Sequence, residues 1–393
     1  MDPAKTLSVR QCEQEPTDPR SQMSVVEPIA VQAAVLRAPT EDMTIEQLTV
    51  DAPVADEIRI RVVGSGLCHS DLHVIEGALP YPLPAVLGHE AAGVVEAVGS
   101  GVAGISAGDH VIACLTQHCG TCHWCVRGKT WICEQHRTAS VRPADQPRLA
   151  IDGSPVGQMA GVGAFAESML VHHSGVVAID PDMPLDRAAL IGCAVVTGVG
   201  AAINEARIRP GETCVVIGCG GIGLNVIQGA ALAGAGRIIA VDLQPSKLEL
   251  AQRFGATDVV AAGDGDAVEA VKALTGGRGV DHAFEAIGLK ATAEQALNMA
   301  SSGGGAYLIG ILPAGASVEV PGFSFAMAGK RLHGVRMGSS NIAADFPRFV
   351  ELYQQGKLML DELVAERITL DQVNDGYETM RKGEQARSVI VFD

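Results

Sequence analysis

The most restrictive stretch of this 393-residue chain is a β-branched run, Val215-Val216-Ile217, that turns on Gly218-Cys219-Gly220-Gly221-Ile222-Gly223 into an apolar segment ending near residue 233. Strand, glycine turn and helix in that order match G-x-G-x-x-G, placed where a helix N-terminus can meet an anion. Gly218 permits the tight turn, Gly220 lets the backbone approach a pyrophosphate, Gly221 continues the turn, and Gly223 lets the helix pack closely on the strand. The next strand ends at Asp242, nineteen residues past Gly223. A carboxylate there accepts from both adenosine ribose hydroxyls and repels a 2′-phosphate. The two features point to a dinucleotide, NAD in preference to NADP, with Lys247 as a donor near the ribose.

Around this turn, strand-like and helix-like segments alternate: 214–217, 222–233, 237–241, 246–254, 258–260, 268–274, 280–285, 292–300 and 306–309. That order predicts an α/β fold with a doubly wound parallel sheet, a Rossmann domain over 195–337. Before it, starting near Ile29, short β-branched runs such as 58–63 and 92–98 are broken by Gly and Pro, with a turn at Gly108-Asp109. They predict a largely antiparallel β domain. The last 55 residues lose the alternation, so the chain is expected to return to that first domain, which then covers 25–194 and 338–393. Residues 1–24, polar and proline-containing, are set apart as a mobile arm.

Composition narrows the partners. A hydrophobic fraction of 47% with 19% charged residues excludes a disordered or collagen-like chain in spite of 46 glycines. A net charge of −16 gives a field that repels nucleic acid and anionic lipid. Residues 213–236 are uncharged and long enough to span a bilayer, but seven glycines with Asn225 and Gln228 divide them into strand, turn and helix. Residues 188–204 are also uncharged; they read as too short to span and as buried elements. With no apolar leader visible, no membrane association is expected and the cytoplasm is the expected location. The ten cysteines would stay reduced there, free for metal ligation or catalysis.

Four of them, Cys119, Cys122, Cys125 and Cys133, form C-x₂-C-x₂-C-x₇-C. Four thiolates close a tetrahedral zinc shell with no open position, which makes such a site structural. The other ligand candidates are scattered: Cys68, His89 with Glu90 beside it, and Cys193. Spacing alone does not link them, and any one of them alone is more often a buried thiol or a core histidine. Two thiolates and an imidazole would leave a fourth position open for water or substrate.

Together, Gly66-Leu67-Cys68-His69-Ser70-Asp71, Gly88-His89-Glu90, the four-cysteine lobe (about 114–137), Gly192-Cys193, the glycine turn with Asp242, and Arg387-Ser388-Val389 resemble the zinc-dependent alcohol dehydrogenases of the medium-chain dehydrogenase/reductase family. The likeness runs from about residue 30 to the end of the chain. It implies a GroES-like catalytic domain beside the Rossmann domain and two zinc ions per chain. The catalytic ion would sit on Cys68, His89 and Cys193, with Glu90 as an occasional alternative ligand, and the structural ion in the cysteine lobe. Asp71 would orient His89, Ser70 and His73 would be the inner and outer ends of a proton relay, and His69 and Arg387 would meet the pyrophosphate. Thr197 and Ile222 would pack against the nicotinamide ring. In the chemistry so implied, zinc acidifies an alcohol, the proton leaves through Ser70, a cofactor ribose hydroxyl and His73, and hydride passes between alcohol and NAD. Leu115, Met159, Ala160 and Ile311 match substrate-channel positions and are apolar, so the resemblance implies a hydrophobic primary alcohol and its aldehyde. Arg336 falls near the same channel, facing either a polar substrate or solvent. A homodimer is expected, a tetramer being the family's other arrangement.

Members that oxidise thiol adducts of formaldehyde look similar around Gly163-Ala164-Phe165-Ala166-Glu167 and Ile191-Gly192-Cys193, and Arg137 matches by spacing an anion-binding arginine of the glutathione-dependent class. Where that class carries acidic residues, this chain has Gly77-Ala78-Leu79-Pro80-Tyr81-Pro82, without a carboxylate. A mycothiol- or glutathione-adduct dehydrogenase is therefore the second reading. A non-catalytic zinc- and nucleotide-binding redox sensor is the third; it predicts damage to the catalytic set, whereas Cys68, His89, Cys193, Ser70 and His73 are all present.

Overall fold

The computed structural model describes residues 26–136, 142–143, 145–383 and 386–393; Arg137 and the N-terminal arm lie outside them. The N-terminal part is built on Glu57–Gly66, which pairs antiparallel with Glu90–Val98 along its length. Its other edge is shared by Ser168–His172 and by Arg387–Val391, the last strand of the chain. The register Val389↔Gly66 brings Arg387 beside Leu67, whose carbonyl accepts from Arg387 Nη1 at 2.7 Å. A five-stranded closed barrel packs alongside. Pairing is mainly antiparallel; the parallel exceptions are Ala85–Val86 with Ser154–Gln158 and Val364–Ile368 with Arg387–Val391.

The second sheet is wholly parallel. In space its strands run Asp258–Ala261, Arg237–Asp242, Thr213–Ile217, Val280–Glu285, Ala300–Leu308, Arg331–Gly334, so the chain order reverses between Thr213–Ile217 and Val280–Glu285, where such sheets bind ligands. The strand expected at 306–309 begins at Ala300, because Ala300 pairs with Val280 and Gly305 with His282 across a register irregularity that takes up residues 301–304.

Both parts are joined by one helical run, Leu185–Ala206, of 22 residues. It is long and apolar enough to cross a membrane, which corrects the expectation that this stretch is too short. Within the protein, 83% of its most apolar window is buried, so its apolar surface is covered by the core. Two π-helical turns interrupt it, at Ile191–Val195 and Ala201–Ala206. Residues 194 and 195, where the sequence suggested a domain boundary, lie inside it. Gly198 and Gly229 let this run cross the helix Gly221–Leu232 at close range: a Cβ on Gly198 would lie 2.5 Å from the Ile222 carbonyl oxygen, and one on Gly229 would lie 2.9 Å from Val199 Cα.

Candidate metal and cofactor site

Cys68 ends the central strand's continuation and precedes the short helix His69–Ile75, His89 precedes the strand Glu90–Val98, and Cys193 lies in the first π-turn of the buried helical run. The fold brings ligand atoms of Cys68, His89, Glu90 and Cys193 within 4.8 Å of one another, all buried. Asp71 Oδ1 accepts from the Gly88 amide at 2.9 Å and faces His89 Nδ1 at 3.2 Å. With Nδ1 as the donor, Nε2 presents its lone pair to the cluster. Among the described residues, His89 Nε2 and both Glu90 oxygens are buried without a hydrogen-bond partner, an expensive arrangement for a dry interior that a cation would satisfy.

The electrostatics agree with a cation site. A hydrogen bond from Cys193, with the charges of Arg387 and His89, holds the Cys68 thiol well below its ordinary value against burial. The same hydrogen bond, together with burial, pushes Cys193 well up. Burial disfavours charge on His89, but Asp71 and Cys68 outweigh it and raise the imidazole well above its usual range. Burial pushes the Glu90 carboxyl up to about 8 against the pull of Arg387. Without a cation only Cys68 is favoured as an anion, while His89, Glu90 and Cys193 hold their protons; a divalent cation would let all of these lone pairs converge, and zinc fits that donor set.

In the cysteine lobe, Cys119, Cys122, Cys125 and Cys133 also converge within 4.8 Å. Their recorded sulfur separations are 3.6 Å for Cys133–Cys119 and 3.9 Å for Cys122–Cys133. Tetrahedral zinc with Zn–S bonds of about 2.3 Å sets sulfurs about 3.8 Å apart. The Cys122 amide donates to Cys119 Sγ at 3.3 Å, and the Cys119 and Gln135 amides donate to Cys133 Sγ at 3.4 and 3.3 Å. Hydrogen bonds from Thr121 lower Cys119 to about 6, whereas burial and the neighbouring sulfurs push Cys125 up to about 12. Four crowded thiols cannot all ionise alone, and a divalent cation removes that conflict.

The glycine turn lies next to the first cluster. Arg387 Nη2 is 3.4 Å from Glu90 Oε1, and a Cβ on Gly221 would fall 2.3 Å from Arg387 Nε, so this buried guanidinium links the two. Asp242 closes the second strand, with Oδ2 accepting from the Cys219 amide at 2.8 Å and Oδ1 from the Gln244 amide at 3.0 Å. Lys247 Nζ stands across from Gly383, 3.5 Å from where its Cβ would be. Thr197, one turn along from Cys193, donates to Met337 Sδ at 3.6 Å. Burial and the Arg387 charge lower His69. Ser70 Oγ is 3.9 Å from Cys68 Sγ, and His73 is half-buried in the last turn of the same helix.

Leu115 packs on one core cluster, while Met159 and Ala160 belong to another. Ile311 is 61% exposed, its backbone held against Gly288 on the nucleotide-binding side. Sequence reasoning missed Tyr81 and Gln117. Tyr81 donates to the Gln158 carbonyl at 2.8 Å and accepts from the Ala160 amide at 3.2 Å, while Gln117 Nε2 donates to the Ala160 carbonyl at 3.2 Å. Together they hold Ala160 in a left-handed conformation, φ +54°. No motif marks such a role, since alanine does not advertise a positive φ.

Comparison with known proteins adds to this geometry. The alcohol dehydrogenase GroES-like domain matches residues 54–181 and the zinc-binding dehydrogenase domain matches residues 221–355. The chain is 39% identical over 364 residues to the NDMA-dependent alcohol dehydrogenase of Amycolatopsis methanolica, covering 91% of this chain and 98% of that protein. It is 38% identical over 373 residues to alcohol dehydrogenase class-3 of Drosophila melanogaster, covering 93% and 98%. Among solved structures it is similar to benzyl alcohol dehydrogenase from Acinetobacter calcoaceticus, with a TM-score of 0.88 at 32% identity over 93% of this chain and 100% of that one.

Proposed function

The chain belongs to the zinc-dependent alcohol dehydrogenases of the medium-chain dehydrogenase/reductase family, and from that premise we propose that it interconverts a hydrophobic primary alcohol and its aldehyde with NAD as the hydride carrier. The observation that carries this reading is the convergence of two buried thiols, the unpartnered His89 Nε2 and Glu90 within 4.8 Å, joined by Arg387 to the glycine turn. Cys68, His89 and Cys193 would hold the catalytic zinc, with Glu90 behind them, and the four-cysteine lobe a second, structural zinc. When bound, zinc supplies the Lewis acidity that makes an alcohol acidic, and the nicotinamide supplies the hydride acceptor.

The chain's own residues do the rest. Asp71 fixes the tautomer of His89. The Ser70 hydroxyl accepts the alcohol proton as it gives up its own toward His73, one turn further along the same helix, which carries it outward. Arg387 sets positive charge against the pyrophosphate at the glycine turn, and His69, whose protonated form burial and Arg387 disfavour, stands beside it. The Asp242 carboxylate accepts from the adenosine ribose, which favours NAD over NADP, and Lys247 donates beside it. Leu115, Met159 and Ala160 offer apolar surface to the alcohol carbon chain. The exposed edge strand Arg331–Gly334, beside a helix whose Phe323 and Met327 are 83% and 74% exposed, suits the pairing of two copies; sedimentation of a dimer, and of a monomer when Phe323→Asp is introduced, checks it.

The test is NADH formation by zinc-loaded chain with a panel of aliphatic and aromatic alcohols, with and without NDMA, and with formaldehyde plus or minus glutathione or mycothiol. Turnover of free apolar alcohols is the expected result. Activity confined to formaldehyde with a thiol would move the function to adduct oxidation, and silence throughout would overturn the catalytic reading.

A further inference from the structure

On one face of the nucleotide-binding sheet, Phe284, Tyr307 and His333 stand on three neighbouring strands, their rings stacked with centroids 4.9 and 4.8 Å apart. The row ends on the edge strand Arg331–Gly334, where His333 Nδ1 lies 3.0 Å from Glu205 Oε1. The second oxygen of that carboxylate accepts from Ser339 Oγ at 2.5 Å. The adjacent residue, Asn204, donates from Nδ2 to Ser340 Oγ at 3.0 Å and to Asp345 Oδ2 at 3.1 Å. Glu205 and Asn204 both lie in the second π-turn, Ala201–Ala206, and such turns recur at functional sites.

The turn they hold is strained. Met337 and Ser339 have φ of +49° and +50° on either side of Gly338 at +60°, a backbone region that residues with a Cβ disfavour. It is also pressed against the buried helical run, since a Cβ on Gly338 would lie 2.1 Å from the Val196 carbonyl oxygen and 2.9 Å from that of Thr197. The result is Met337 Sδ at 3.6 Å from Thr197 Oγ1. Strain of this kind persists only where the surroundings over-determine it, and Glu205 is the group that grips both the turn and the edge strand.

We propose that Glu205 is a positioning residue for the nicotinamide end of the cofactor: by locking the left-handed turn at Met337–Ser339 it holds Met337 against Thr197. This rests on the reading above that a nicotinamide dinucleotide lies beside Thr197. Glu205 touches no cofactor and acts through Ser339, with His333 tying the same carboxylate to the sheet edge. An ordinary partly exposed ion pair with His333 alone would contribute little and would not engage the second oxygen.

The test compares the full-length chain with Glu205→Ala, Ser339→Gly and the double variant, measuring dissociation constants for NADH and for ADP-ribose, which lacks the nicotinamide. Glu205→Ala should weaken NADH about tenfold and leave ADP-ribose within about twofold, because the adenosine and pyrophosphate contacts do not involve the turn. Ser339→Gly in the Glu205→Ala background should restore NADH binding to within about threefold of the parent, since glycine takes a positive φ without a clamp. If Glu205→Ala does not fold, Glu205→Gln, which keeps an acceptor for Ser339, enters the same comparison with a smaller loss in the same direction. Equal loss of both ligands, unaltered NADH binding, or absence of rescue would overturn the proposal. A parent chain that bound ADP-ribose and NADH equally well would overturn the nicotinamide reading itself, which separates the two failures.

Discussion

Replacing Asp242 with serine should shift cofactor preference from NAD toward NADP by at least about 10³. The carboxylate is pinned at both oxygens, by the Cys219 amide at 2.8 Å and the Gln244 amide at 3.0 Å, so it cannot swing away from a 2′-phosphate placed where the ribose hydroxyl would be. Unit charges about 4 Å apart at an effective dielectric of about 20 repel by about 4 kcal/mol, which is about 10³ in affinity. A phosphate carries more than one unit of charge, which offsets screening at this half-exposed position. NAD should itself weaken by about 10- to 100-fold, since hydrogen bonds to a charged acceptor contribute about 1.5–3 kcal/mol. Serine is preferred to asparagine, whose NH₂ would face one of the two backbone amides whichever way it turned. The readout is the ratio of kcat/KM with NAD to that with NADP for both proteins at one fixed salt concentration. A change in that ratio of less than tenfold, or a parent chain that prefers NADP, would refute the reasoning.

Other outcomes follow from the same geometry. Elemental analysis should find two zinc ions per chain, falling to one in both Cys133→Ser and Cys68→Ser; the first should chiefly lower the melting temperature and the second chiefly abolish turnover. Gly221→Ala would place a Cβ 2.3 Å from Arg387 Nε, and overpacking of this kind costs about 1–3 kcal/mol, so KM for the cofactor should rise by about tenfold or more while zinc content stays the same. Glu57, 2% exposed, is gripped by Arg142 and Arg148, whose side chains are 7% and 9% exposed. Glu57→Gln leaves two buried guanidiniums short of charge, a loss of about 3–5 kcal/mol, or about 4–6 °C in melting temperature by calorimetry for a chain of this length. Burial alone would raise the Glu57 carboxyl, but the two arginines outweigh it and hold it low. Its contribution is therefore present above the unfolded carboxylate value of about 4.3 and lost as pH falls through the lower folded value, so the gap between parent and variant should close below about pH 4.

The glycine turn and the strands around it could be read from the sequence because each is punctuated locally: 280–285 was bounded correctly, with Gly279 before it and a turn after it. The buried helical run was not, because its middle, residues 188–204, has no charges or periodic polar positions and gives no signal for how far a covered helix extends. Cys68, His89 and Cys193 are 21 and 104 residues apart and stand on three different elements, so only the assembled fold brings them together; family resemblance supplied what spacing could not. Glu205, Met337, Tyr81 and Gln117 carried no signal at all, since what they do depends on left-handed backbone at Ala160, Met337 and Ser339, residue types that rarely adopt it.

The helix Leu185–Ala206 acts as a ruler. Cys193, the proposed metal ligand, and Thr197, the proposed nicotinamide neighbour, stand about one helical turn apart on it, so their spacing is covalent and does not depend on how the two parts of the protein dock. The span that hydride must cross is then set within one helix. A chimera joined at 194–195 would cut this ruler between its two marks. One joined just past 206 would exchange the nucleotide-binding part, and with it the preference set by Asp242, while leaving the distance for hydride transfer as it was.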